Sequence, residues 1–368
     1  MAKVKAAVMD KVNGEIKVEI KEFSEPALEE GAVLLKTVYS EVCGTDVHLS
    51  RGQLAEVPYP IIPGHINAGI IEEINGNVCD IEGNVFRVGE VVTFLDVHET
   101  CNRCWYCLVA KTTTRCPNRK VYGITYSARD GLLGGWSERI YLKPGVKIIK
   151  LPPQVQPIDF IAGGCGAPTG LHAVERATIK LDDTVVIQGS GPVGLSAAIF
   201  SILGGAGRVI VVDPAVNRLE IARQMGVDCT IGEGSGKARV NAVLDLTNGR
   251  GADVTIEASG NPKAVSEGMD MTRNNGTYVI VGQYTDAGDV SINPHWQINK
   301  KHLDIKGTWG IDYSHIHRSV RLMAKHSERF SWRRWISKVY SLDEVEGALH
   351  DVENLQVMKA AIAPNGEF

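Results

Sequence analysis

The run CNRCWYC places Cys101, Cys104 and Cys107 at intervals of three residues, and Cys116 follows in the same stretch. Four thiolates this close can surround one tetrahedral metal ion, and a closed four-sulfur site is the usual structural zinc arrangement. A redox pair or idle surface thiols would use the same residue type, but neither calls for four. The other four of the eight cysteines, Cys43, Cys79, Cys165 and Cys229, are scattered singly. Disulfide scaffolds are shorter and denser in cysteine, and the chain opens without an apolar, positively flanked segment. Reduced thiols and a cytoplasmic location are therefore expected.

A second set of metal donors is dispersed. Cys43 opens CGTDVH, His65 stands in PGH, and Cys165 lies far downstream in GGCGAPTG. A catalytic zinc takes three N or S donors and keeps one position open, and two cysteines with one histidine satisfy that rule. Donors of this kind come from separate loops that the fold brings together.

The third feature is TVVIQ running into Gly189, Ser190, Gly191, Pro192, Val193 and Gly194, a GxGxxG motif at a strand-to-helix junction. The first glycine permits the tight turn, the second lets backbone approach a pyrophosphate, and the third lets helix and strand pack closely. Pro192 and Val193 begin the helix whose free N–H groups face the anion. Nineteen residues beyond Gly194, at the end of the next strand, stands Asp213. A carboxylate there accepts from the ribose hydroxyls of NAD and repels the 2′-phosphate of NADP. The same glycines would serve a plain tight turn, and Asp213 would cap a helix beginning at Pro214; neither use excludes a dinucleotide. Arg218 and Lys359 are candidates to supplement the phosphate or adenosine contacts.

Elements of two kinds must position these residues. Up to about residue 155 the chain gives short β-branched runs (VKAAVM, EIKVEI, AVLLKTVYS, GIIEEI, GEVVTFLDV, ERIYLKPG) broken by Gly, Pro and Asn. From about 180 to 282 apolar strands alternate with amphipathic segments, which predicts a parallel sheet with crossover helices. After 300 a strand DIKGTWG precedes a helix near Val320–Lys325, another helix near Glu344–Leu355 and a last strand, MKAAIA.

With 368 residues, 44% of them hydrophobic, the chain has length for two domains and ample core. No apolar run is long enough to cross a bilayer. A formal net charge of −4, without a long basic run, argues against nucleic acid and for a small-molecule ligand.

Taken together, CGTDVH, GH, the cysteine lobe, CGAPTG, GSGPVG and the terminal MKAAIAP resemble the zinc-dependent medium-chain dehydrogenase family, in its alcohol dehydrogenase group, over nearly the whole length. The resemblance implies an α/β protein with a GroES-like β-rich catalytic domain (1–158 and 300–368, the cysteine lobe at about 98–118) and a Rossmann doubly wound parallel sheet (159–299). It makes Cys43, His65 and Cys165 the catalytic zinc ligands and Cys101, Cys104, Cys107 and Cys116 the structural ones. Thr45 becomes the hydroxyl at the substrate oxygen, His48 the imidazole that passes the proton to solvent, and Asp46 the carboxylate that orients the ligating histidine. Thr169 would stand beside the nicotinamide, and Val57, Tyr284, Trp309 and residues near Asp96 would line the substrate pocket, although Trp309 also reads as core. The expected reaction is hydride transfer between an uncharged secondary or cyclic alcohol and NAD, with two zinc ions per chain. Alternatives are a polyol or sugar dehydrogenase, or a zinc-stabilised nucleotide-binding protein without turnover. A homodimer or homotetramer is expected by pairing through Tyr278–Gly282 and Val290–Ile292.

The chain departs from the family pattern twice. Ile66 follows His65 where glutamate is common, which removes the ligand used by the polyol branch and leaves the Cys, His, Cys set. The loop between Cys107 and Cys116 is one residue longer than usual, an insertion that a surface loop absorbs.

Overall fold

The computed structural model describes residues 3–368. The chain divides into two compact units, Met1–Gly164 with Asp312–Phe368, and Cys165–Ile311. Both junctions fall later than the expected 158 and 299. Strand Asp304–Gly307 pairs in parallel with Thr272–Ile280, which keeps residues after 300 with the parallel sheet.

The first unit is β-rich. Strands Lys3–Val12 and Glu15–Ser24 form an antiparallel hairpin. Their two-residue turn uses Asn13 (φ 54°) and Gly14 (φ 89°), the positive-φ pair that hairpin twist favours. A larger sheet runs in the order Ile336–Tyr340, Lys359–Ile362, Val33–Val42, Asn67–Ile74, Val91–Phe94 and Ile148–Lys150, with Arg139–Leu142 also pairing with Val33–Val42. Val33–Val42 is central, and nine of its ten residues are buried. It delivers the chain to Cys43. The cysteine lobe is closed at its base by the antiparallel pair Val97–Glu99 and Lys120–Val121.

The second unit holds six parallel strands in the spatial order Cys229–Ile231, Arg208–Val212, Thr184–Gln188, Ala252–Glu257, Thr272–Ile280 and Asp304–Gly307. In sequence order this is 3-2-1-4-5-6, the doubly wound Rossmann arrangement. Thr184–Gln188 and Ala252–Glu257 are buried throughout, as strands covered on both faces must be. They flank the point where strand order reverses, and Gly189 lies directly at the end of the first.

Thr272–Ile280 is an interior strand, so the expected edge-to-edge pairing through Tyr278 is not available; the sheet edges are Cys229–Ile231 and Asp304–Gly307. Val290 and Ile292 lie outside any strand and pack against Val265, Met269, Tyr278 and Leu303. Among the described residues no helix is long and apolar enough to cross a membrane.

Candidate active site

Strand Val33–Val42 ends at Cys43, the N-cap of helix Gly44–Ser50. Asp46, fully buried in the first turn of that helix, accepts from the Cys43 N–H at 2.9 Å and from the Gly64 N–H at 3.4 Å. One carboxylate thus ties the segment of Cys43 to that of His65. Burial pushes the Asp46 carboxyl up, and the neighbouring His65 is the main influence pulling it back down. Gly64 is required at its place: it holds φ +82°, and a Cβ there would sit 2.5 Å from the Trp136 ring.

Helix Pro157–Gly163 ends at Gly164, whose N–H donates to the Phe160 carbonyl at 2.7 Å, and Cys165 follows directly. The ligand atoms of Cys43, His65 and Cys165 all lie within 4.8 Å of one another. Donors around a tetrahedral zinc with bonds of about 2.3 Å to sulfur and 2.0–2.1 Å to nitrogen are roughly 3.5–3.8 Å apart. Small side-chain adjustments separate the two sets of distances, so the donors fit such an ion.

The four-cysteine lobe fits as well. Its sulfurs stand 3.5 Å (Cys104 to Cys107), 4.0 Å (Cys104 to Cys116) and 3.6 Å (Cys116 to Cys101) apart. The backbone N–H of Arg103 and the Asn118 side chain bring the Cys101 thiol down to about 6, while desolvation and the adjoining Cys104 and Cys116 push the Cys107 thiol up to about 12. Four thiols this close do not ionise together without a cation to offset them.

Thr45 and His48 share one face of helix Gly44–Ser50, three residues apart and both half-buried. His48 Nδ1 lies 2.6 Å from Gln53 Oε1, a partner that motif reading did not find. Asp96, 6% exposed, was named only as a neighbour of the substrate pocket. Burial raises its carboxyl, opposed first by His65 and then by Arg119, so a second buried carboxyl lies within electrostatic reach of His65. The sequence signal was an acid closing the apolar run VVTFLD.

In the second unit each motif glycine has a separate reason. Gly189 holds φ +96°, and a Cβ there would stand 2.8 Å from Ser259 Cα. At Gly194 a Cβ would collide with the Gly189 carbonyl, whereas at Gly191, the N-cap of helix Pro192–Leu203, it would meet only Arg218 Nη1 at 4.0 Å. Space for an anion is open at that one glycine. Asp213 accepts from the Ser190 N–H at 2.6 Å and the Ala215 N–H at 2.7 Å. Burial lowers the pKa of Arg218, and Asp213 opposes that. Thr169 stands one turn into helix Gly166–Ala177, half-buried, its N–H donating to the Cys165 carbonyl at 3.3 Å.

Three further candidates have these surroundings. Lys359 is 2% exposed in the first unit's sheet, with its ammonium on Glu41. Trp309 lies beyond its strand, 39% exposed, and is not core; it stacks on Tyr284 with centroids 5.6 Å apart and donates to the Tyr284 carbonyl at 3.2 Å. Val57 packs at the margin of the first unit's core.

Residues 29–153 match the alcohol dehydrogenase GroES-like domain, and residues 192–325 the zinc-binding dehydrogenase domain. The chain is 32% identical to 5-exo-hydroxycamphor dehydrogenase of Pseudomonas putida, over 98% of this chain and 99% of that one. An alcohol dehydrogenase structure from Thermotoga maritima superposes with a TM-score of 0.93 at 32% identity, covering 99% of this chain and 100% of its own. A structure from Sinorhizobium meliloti 1021, described as a zinc-binding dehydrogenase bound to NADP, gives 0.85 at 25% identity over 99% and 100%. With a GroES-like first unit, a Rossmann second unit and two clusters of zinc-type donors, the chain belongs to the zinc-dependent medium-chain dehydrogenase family.

Proposed function

We propose that the chain oxidises an uncharged secondary or cyclic alcohol to its carbonyl compound with NAD, and runs the reverse reaction, using one catalytic and one structural zinc. The observation that carries this reading is the meeting of Cys43, His65 and Cys165, remote in sequence, at metal-binding spacing. When bound, zinc supplies Lewis acidity that lowers the pKa of an alcohol hydroxyl, and NAD supplies the hydride acceptor.

The chain's own residues do the rest. Asp46 holds the Cys43 and Gly64 backbones and, with Asp96, favours one orientation of the His65 ring. Thr45 accepts the proton that leaves the alcohol oxygen while giving its own toward His48, and an imidazole can return it to solvent near neutral pH. Loss of that proton and of the carbinol hydride leaves the carbonyl product. Gly189, Gly191 and Gly194 shape the pyrophosphate seat on Pro192 and Val193, with Arg218 beside it, Asp213 meets the adenosine ribose, and Thr169 positions the nicotinamide. The four-cysteine zinc contributes to folding of its lobe and not to turnover.

Tyr284 and Trp309 offer a flat apolar wall suited to a ring, and the relative that acts on hydroxycamphor supports a cyclic secondary alcohol. Ile66 counts against the polyol arrangement. A homodimer or homotetramer, checked by light scattering, completes the reading. The test is a panel of primary, secondary, cyclic and polyhydroxylated alcohols with NAD and NADP beside zinc analysis. Reduction of NAD by cyclic secondary alcohols is expected, and absence of turnover with every alcohol would leave a nucleotide-binding protein instead.

A further inference from the structure

Strand Val33–Val42 carries Glu41, with its side chain 0% exposed, and Lys359 on the neighbouring antiparallel strand, 2% exposed, places its ammonium on that carboxylate. A buried ion pair is a weak source of stability, because both ions lose their water and apolar residues of similar volume often serve as well. The surroundings of this pair point to a different use.

Glu41 stands two residues before Cys43. Its backbone N–H donates to the carbonyl of Ile66, the residue after His65, at 3.0 Å. The pair also closes over Gly164, the residue before Cys165: a Cβ there would stand 2.7 Å from Lys359 Nζ and closer still to the carboxylate. Gly164 holds φ 46° and ψ −138°, a conformation open to glycine and strained for other residues. The segments of Cys43 and Cys165 therefore meet at the ion pair itself, and the segment of His65 at the backbone of its acid.

We propose that Glu41 and Lys359 are positioning residues for the metal site, holding the segments of Cys43, His65 and Cys165 in register through the backbone beside each donor. The inference rests on the reading of those three residues as zinc ligands.

The test is chelator-driven zinc release from the full-length, zinc-loaded protein, followed with a metallochromic dye. Zinc in the four-cysteine lobe serves as the internal standard. The double variant Glu41→Gln/Lys359→Met removes both charges and leaves no lone buried ion. Partners that orient metal ligands typically change metal affinity by about 10–100-fold. The double variant should therefore release the dispersed-site zinc faster by about that factor, while the lobe zinc and the melting midpoint stay as in wild type. Glu41→Asp, which keeps both charges but withdraws the carboxylate by one methylene, should give an intermediate acceleration. Equal release rates in wild type and double variant overturn the proposal. If the double variant does not fold, an unchanged rate in Glu41→Asp overturns it. A wild-type protein that releases only one zinc overturns the metal reading itself, and this inference with it.

Discussion

Asp213 combines two duties that Asp213→Asn separates. Its oxygens accept from the Ser190 N–H at 2.6 Å and the Ala215 N–H at 2.7 Å, so it clamps the glycine loop; under the proposed function it also places a negative charge at the ribose seat. An amide keeps one acceptor oxygen and turns its NH2 toward the other donor. Ser190 is fully buried, and an N–H left without an acceptor there costs about 1–3 kcal/mol. A 2′-phosphate carries a charge of about −1.5 to −2. At roughly 5 Å from a carboxylate and an effective dielectric of about 20, repulsion is on the order of 3 kcal/mol per unit charge. Each decade in rate corresponds to about 1.4 kcal/mol. Relief of that repulsion, about 4.5–6 kcal/mol for the whole phosphate charge, should shift kcat/KM for NADP relative to NAD by about 10³–10⁴-fold. The assay is initial-rate kinetics with both cofactors on the purified variant, alongside a melting curve. A folded variant with an unchanged cofactor ratio would refute the role of Asp213.

Other perturbations follow from the same geometry. Thr45→Val should lower kcat by about 10²–10⁴-fold while zinc content and NAD binding stay as they are, measured by steady-state kinetics and metal analysis. Cys104→Ser should remove one zinc per chain and open residues 99–121 to limited proteolysis; an unchanged zinc count would contradict the lobe assignment. Asp312 caps helix Tyr313–Lys325, accepting from the Ser314 N–H at 2.9 Å, and its bond to the His315 ring holds its carboxyl well below the usual range. A group depressed in the folded state contributes fully above its unfolded value of about 3.9, and that contribution fades as pH falls through the folded one. Asp312→Ala should therefore cost about 1 kcal/mol in urea unfolding at pH 7, and measurably less at about pH 3.

The parts that could be read without coordinates are those whose chemistry is local. CNRCWYC, the glycine turn and the strand and helix alternation of 180–282 each carry their signal within a few residues, and the structure reproduces them. The dispersed donors are different in kind: donor type marks Cys43, His65 and Cys165 only as a possible set, and the resemblance is what makes them ligands of one zinc, because chain spacing holds no information about convergence across the fold. Lys359 reads as a candidate phosphate or adenosine contact, yet a lysine inside the apolar run MKAAIA also signals burial with a partner, as does Glu41 inside VYSEVC. Helix Gly236–Leu246 carries a weaker signal, because only Val243 of its residues is buried, which leaves little apolar periodicity. Trp309 reads from the sequence either as pocket wall or as core, and the loop beyond Gly307 decides against core by turning it outward onto Tyr284.

Zinc counted per chain in wild type and in Cys165→Ser, with NAD reduction measured on the same samples, bears on the whole account. It predicts two zinc ions and alcohol-dependent turnover in wild type, against a variant that binds its second zinc at least tenfold more weakly and has lost most turnover. One zinc in wild type, or a variant that keeps two zinc ions and full turnover, would contradict it.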